Sequence, residues 1–119
     1  MKKENILHTK SYSFAIRAVK LSQFLNQEKK EYILSKQVLR SGTSIGALIK
    51  ESQYAQSHAD FIHKLTVALK EANETQYWID LLYDTHYLTK EMHQSLNKDI
   101  DELLSLLISI TKTLKNRSI

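Results

Sequence analysis

The chain contains no proline and only two glycines in 119 residues. Folds of many strands need those residues at their turns, whereas long helices exclude proline and are weakened by glycine, so this near-absence points to long helices. Four stretches of helical periodicity then follow one another along the sequence. The first is expected over about 5–26, with Leu7, Phe14, Ala18, Leu21 and Leu25 on one stripe. The second covers about 33–56, where Leu34, Val38, Ser41, Ile45, Leu48, Ser52 and Ala55 keep a seven-residue repeat. The third, over 58–84, opens with Ser57 three residues ahead of Asp60, a variant of the capping box, and carries Phe61, Leu65, Ala68, Ala72, Ile79 and Leu82. The fourth covers about 89–115, opened by Thr89 and Glu91 and closed by Lys112, Lys115 and Arg117, cations that suit a helix C-terminus. The polar run Gln27–Glu31 is read as an exposed, basic tip between the first two helices, and Thr85–Leu88 as the last turn. One core serves a chain of this size, so residues 1–119 are expected to form a single all-α domain, an antiparallel up-and-down four-helix bundle.

Composition removes several classes of function. Without cysteine there is no disulfide, no thiolate nucleophile and no zinc knuckle, which fits a cytoplasmic protein. The basic start Met1–His8 lacks the apolar run of an export signal, being interrupted by His8 and Lys10. The apolar segment Leu103–Ile110 is far shorter than the ~20 residues of a membrane-spanning helix, so no membrane partner is expected. His58, Asp60 and His63 raise the question of a metal, but a bundle di-metal centre needs two acid–histidine pairs and further inward glutamates, and one pair is present. No metal and no cofactor are expected. Glu71, Glu74, Asp80 and Asp84 fall on the polar side of the third helix and are read as solvent-facing rather than as a catalytic pair. Nucleophile elbow and glycine-rich phosphate loop are both missing, so the chain is read as a non-enzyme.

Three features ask for another explanation. Ser41–Ala47 packs small residues, with Gly42 and Gly46, into a helix interior where each glycine costs roughly 1 kcal/mol relative to alanine. A broken helix is one reading. Close approach of another backbone is the favoured one, since the two glycines lie four apart on one side. Secondly, the last helix carries Leu104, Leu106 and Ile108 in addition to its repeat Ile100, Leu103, Leu107, Ile110 and Leu114. One face cannot hold them all, so these three are assigned to contacts between copies in a homo-oligomer. Thirdly, residues 1–50 carry ten Lys/Arg against three acids, and residues 51–119 carry seven against ten. Lys10, Arg17 and Lys20 on the first helix, with Lys36 and Arg40 on the second, form cationic stripes of the kind that bind phosphates, hence RNA or DNA with little sequence specificity. The alternative is that the basic half faces the acidic half, within or between subunits.

The blocks Ile33–Ala47 with Glu51, then Asp60–Leu65 and Ala68–Trp78, resemble the bacterial four-helix bundle proteins first noticed in intervening sequences of large-subunit ribosomal RNA genes. The similarity spans nearly the whole chain. That family includes the accessory variability proteins of diversity-generating retroelements, which form barrel-shaped homopentamers, bind nucleic acid and associate with a reverse transcriptase. The resemblance therefore implies a homopentamer, with nucleic acid and a reverse transcriptase as possible partners. One position departs: Leu48 stands where the motif has asparagine, which replaces a polar contact by apolar packing.

Overall fold

The computed structural model describes residues 2–117, with side chains from residue 5 onward. Residues 1, 118 and 119 of the expected domain lie outside the described residues. Among the described residues the chain is all helical: α1 (Lys2–Glu28), α2 (Leu34–Ser52), α3 (His58–Asp84) and α4 (Lys90–Arg117). Each helix packs antiparallel on its sequence neighbour and α1 closes against α4, giving a four-helix rod of 48 × 22 × 20 Å.

Its core is drawn from the expected stripes. Leu7, Leu25, Val38, Ile45, Leu65, Ile79, Leu82, Ile100, Leu103 and Leu107 are all fully enclosed. A side chain of this kind contributes roughly 1.5–3 kcal/mol when buried, so the interior is sufficient to hold helices of modest intrinsic propensity. Leu48 is half-buried and packs against this cluster, the apolar contact inferred for that position.

The ends of the helices follow local chemistry. Ser57 caps α3, its hydroxyl accepting the Asp60 amide at 3.0 Å, and the Asp60 carboxylate accepts the Gln56 amide at 3.1 Å. Thr89 caps α4 by accepting the Met92 amide at 3.2 Å. α2 stops at Ser52, four residues short of its expected end at Gln56. Its repeat continues to Ala55, but the amides of Gln53, Tyr54 and Ala55 each turn back to a carbonyl three residues earlier, and the helix closes there.

The connection between α1 and α2 corrects the expectation of a wholly exposed tip. The Leu25 carbonyl accepts both Lys29 and Glu31 amides, with Lys30 in the left-handed region at φ 54°. This turns Glu31 inward to 9% exposure, where its carboxylate accepts the amides of Ile33, Leu34 and Ser35 at 2.8–3.1 Å. An acid in a polar run thus becomes the N-terminal cap of α2, placed where the helix dipole favours negative charge.

Candidate interaction surfaces

The seam between α1 and α2 is close at both glycines. A Cβ built on Gly42 would lie 2.7 Å from the Ala18 Cβ, and one on Gly46 would lie 3.3 Å from the Ser11 carbonyl oxygen. The helix stays unbroken through both glycines, with Gly42 against the Ala18 methyl and the Phe14 ring and Gly46 against the backbone of Ser11. Outside this contact lies a shallow groove of about 410 Å³, bordered by His8, Tyr12 and Ala15 of α1 and by Thr43, Ala47 and Lys50 of α2. At its edge the Nδ1 of His8 is buried without a hydrogen-bond partner.

Along the same side of α1 runs an apolar stripe. Tyr12, Ile16 and Val19 follow one another at spacings of four and three, and are 66%, 44% and 39% exposed. Sequence reading assigned α1 only its core stripe and missed this second one. The signal was present, since the test for surplus apolar residues made on the last helix applies equally to the first.

On α4 the three residues assigned to contacts between copies separate. Leu104 and Leu106 are half-buried and pack against the chain's own core, so the premise that one face cannot hold the helix's apolar residues needs correcting. Leu106 is four residues beyond Glu102 and seven beyond Asp99, both of which reach α1, so it faces that seam. Ile108 is 52% exposed.

The five cations of the proposed stripes also separate. The Lys10 ammonium lies 2.8 Å from Glu102. Arg17 donates to Asp99 at 2.7 Å and to the carbonyl and hydroxyl of Ser95, fastening α1 to α4. Arg40 pairs with Glu71 and Glu74, fastening α2 to α3. Glu71 is therefore not the solvent-facing acid expected: its side chain is 15% exposed. The Trp78 indole donates to Glu74 at 2.9 Å, and this bond, followed by the Arg40 contact, holds the Glu74 carboxyl below its ordinary pKa. The same two glutamates, Glu74 first, hold the Arg40 guanidinium above its ordinary value. Within one subunit the basic half thus faces the acidic half at these three residues. Lys20 and Lys36 are exposed, and no ion pair engages them among the described residues.

The α3–α4 seam is polar by contrast. Gln76 donates to Asn97 and Asp101, and His93 meets Asp80 at 2.8 Å while stacking on Tyr83. Of the residues considered for a metal, Asp60 is occupied as a cap and His63 is exposed. No helix, among the described residues, is long and apolar enough to cross a membrane.

Residues 3–109 match the model of the 23S rRNA-intervening sequence proteins. The chain belongs to that family. Within the 23S rRNA-intervening sequence proteins it is similar to a solved structure, a protein of unknown function from the S23 ribosomal protein family of Bacteroides thetaiotaomicron. The two are 57% identical with a TM-score of 0.91, over 92% of this chain and 98% of the other. No curated protein shows significant similarity to the chain.

Proposed function

We propose that this 23S rRNA-intervening sequence protein is a non-enzymatic scaffold that assembles with itself, in a ring of five copies if it follows the pattern implied by its family resemblance. The exposed Tyr12–Ile16–Val19 stripe carries the reading. Three large apolar side chains in line beside a shallow groove add nothing to the monomer's core, and apolar surface of this kind marks a contact site. The internal pairing of Lys10, Arg17 and Arg40 supports the same emphasis, because those charges already serve to join helices. Sedimentation equilibrium tests the reading. A mass several times the 13.8 kDa of one chain is expected, and a single-chain mass at tens of micromolar would refute it.

Nucleic-acid contact is a second reading, favoured by the exposed Lys20 and Lys36, to which the α1–α2 turn adds the exposed Lys29 and Lys30. Such binding is electrostatic and weakens steeply with salt. Lys20→Glu with Lys36→Glu should lower retention on single-stranded RNA or duplex DNA at low ionic strength. Absence of retention by the wild type under those conditions removes this reading.

A further inference from the structure

We infer that the seam between α1 and α4 forms a binding groove for a small aromatic acid, a ring carrying a carboxylate on a short arm. The groove encloses about 260 Å³ and is lined by Arg17, Lys20, Leu21 and Phe24 of α1 with Met92 and Leu96 of α4. It shares no lining residue with the α1–α2 groove, and it stands whether or not copies assemble. The floor selects the body of the ligand. Leu21 and Leu96 are core residues at its base, and Phe24 and Met92 are half-buried against the same core. A phenyl face and a thioether suit an aromatic body better than an aliphatic one, since ring–ring and sulfur–ring contacts add to the area buried. Size sets the limit: ligand pockets commonly start at roughly 300 Å³, so there is room for one ring and a short arm.

The rim selects the charge. The Arg17 guanidinium is held in place by bonds to the Asp99 carboxylate at 2.7 Å and to the carbonyl and hydroxyl of Ser95 at 3.1 and 3.0 Å. An arginine carries five N–H groups and these bonds use three, which leaves two on a side chain that already lines the groove and is already ordered. Asp99 offsets the charge of Arg17. The net charge of the rim therefore comes from Lys20, which is exposed and engaged in no ion pair among the described residues. Towards the turn end, the Lys29 ammonium stands 5.9 Å from the Phe24 ring centroid and adds a second cation. Glu28 and Glu91 are exposed acids close in sequence, one turn beyond Phe24 and beside Met92, but neither lines the groove. A carboxylate is what this rim can hold. The apolar floor below it separates the site from a phosphate-binding stripe, which would make no use of Phe24 and Met92.

The test is a titration of isotope-labelled protein with hydrocinnamate, a phenyl ring on a short carboxylate arm, followed by backbone amide chemical shifts. Its uncharged amide and inorganic phosphate are titrated alongside. The acid is expected to give saturable shifts at residues 17–24 and 92–96, with a dissociation constant on the order of 1 mM, as suits a ligand of so few atoms. The amide should bind about fivefold more weakly, and phosphate should not reproduce the shifts of Phe24 and Met92. Lys20→Gln alters an exposed side chain and keeps the fold, which circular dichroism checks, and it should bring the acid down to the level of the amide. The site is overturned by the absence of saturable shifts or by shifts confined to Tyr12 and Ile16. Equal binding of acid and amide, an equal effect of phosphate, or a Lys20→Gln protein that binds the acid as the wild type does would overturn it as well.

Discussion

The α1–α2 seam and the α3–α4 seam both join antiparallel neighbours, yet one closes on two glycines and the other is bridged by amides, carboxylates and a stacked histidine. At Gly42 and Gly46 the two helices touch where side chains are missing, so their spacing is set by what is absent. Between α3 and α4 the spacing is bridged by Gln76, Asn97, Asp101, Asp80 and His93, groups that can exchange their partners for water. The first seam should therefore be intolerant of added atoms and the second tolerant of lost ones. The exteriors differ too: α1 carries the exposed apolar stripe Tyr12–Ile16–Val19, and the α3–α4 seam is edged with the exposed acids Asp80 and Asp101.

The largest effect is expected from Gly42→Val, since even its Cβ would collide with Ala18. Overpacking of this kind should cost about 3 kcal/mol and lower the melting temperature by on the order of 10 °C. At Gly46 the approach is less severe, and Gly46→Ala regains about 1 kcal/mol of helix propensity, so its net change should stay within about 1 kcal/mol of zero. A Gly42→Val protein that melts like the wild type would break the comparison at its base.

The two connections sharpen it next. Glu31 accepts three amides at the start of α2, and Glu31→Ala should cost about 1–2 kcal/mol in urea unfolding. Thr89 accepts one amide, at 3.2 Å, so Thr89→Ala should cost less, about 0.5–1 kcal/mol. Equal losses would mean that the buried carboxylate is no better a cap than an exposed hydroxyl.

Between the two seams stands the Arg40–Glu71–Glu74–Trp78 cluster. Because the folded state holds the Glu74 carboxyl below its ordinary pKa, the stability this provides is complete above the unfolded-state value and is lost as pH falls through the folded one. Glu74→Gln should thus lower the melting temperature at pH 7 and have almost no effect near pH 2. A difference that persists in acid would contradict the assignment. The smallest effect belongs to Gln76→Ala, expected within about 0.5 kcal/mol of the wild type because its bonds are largely exposed. A loss of 2 kcal/mol there would show that the polar seam is as exacting as the glycine one.

Much of this architecture was legible in the residues. The start of α3 could be read because Ser57 and Asp60 act on amides within the same turn, and the core stripes because helical spacing alone places Leu65, Ile79 or Leu103 inward. What escaped reading depends on distant partners. The cations of Arg17 and Lys10 were visible, but the acids that engage them lie 82 and 92 residues away, and no local pattern distinguishes a paired lysine from a free one. Glu31 looked like part of a solvated run because its inward turn follows from Lys30 adopting a left-handed backbone at a residue that is not glycine. The Tyr12–Ile16–Val19 stripe was open to reading and was hidden by the stronger core stripe on the same helix.

The contrast between the two sides leads to one central claim, that the apolar exterior of α1–α2 is covered by another copy of the chain. The direct measurement is the sedimentation-equilibrium mass of the wild type beside that of Ile16→Glu, with both helical by circular dichroism. The account predicts a wild-type mass about five times the 13.8 kDa of one chain and a single-chain mass for the variant. Equal masses for the two proteins, whether single-chain or assembled, would contradict it.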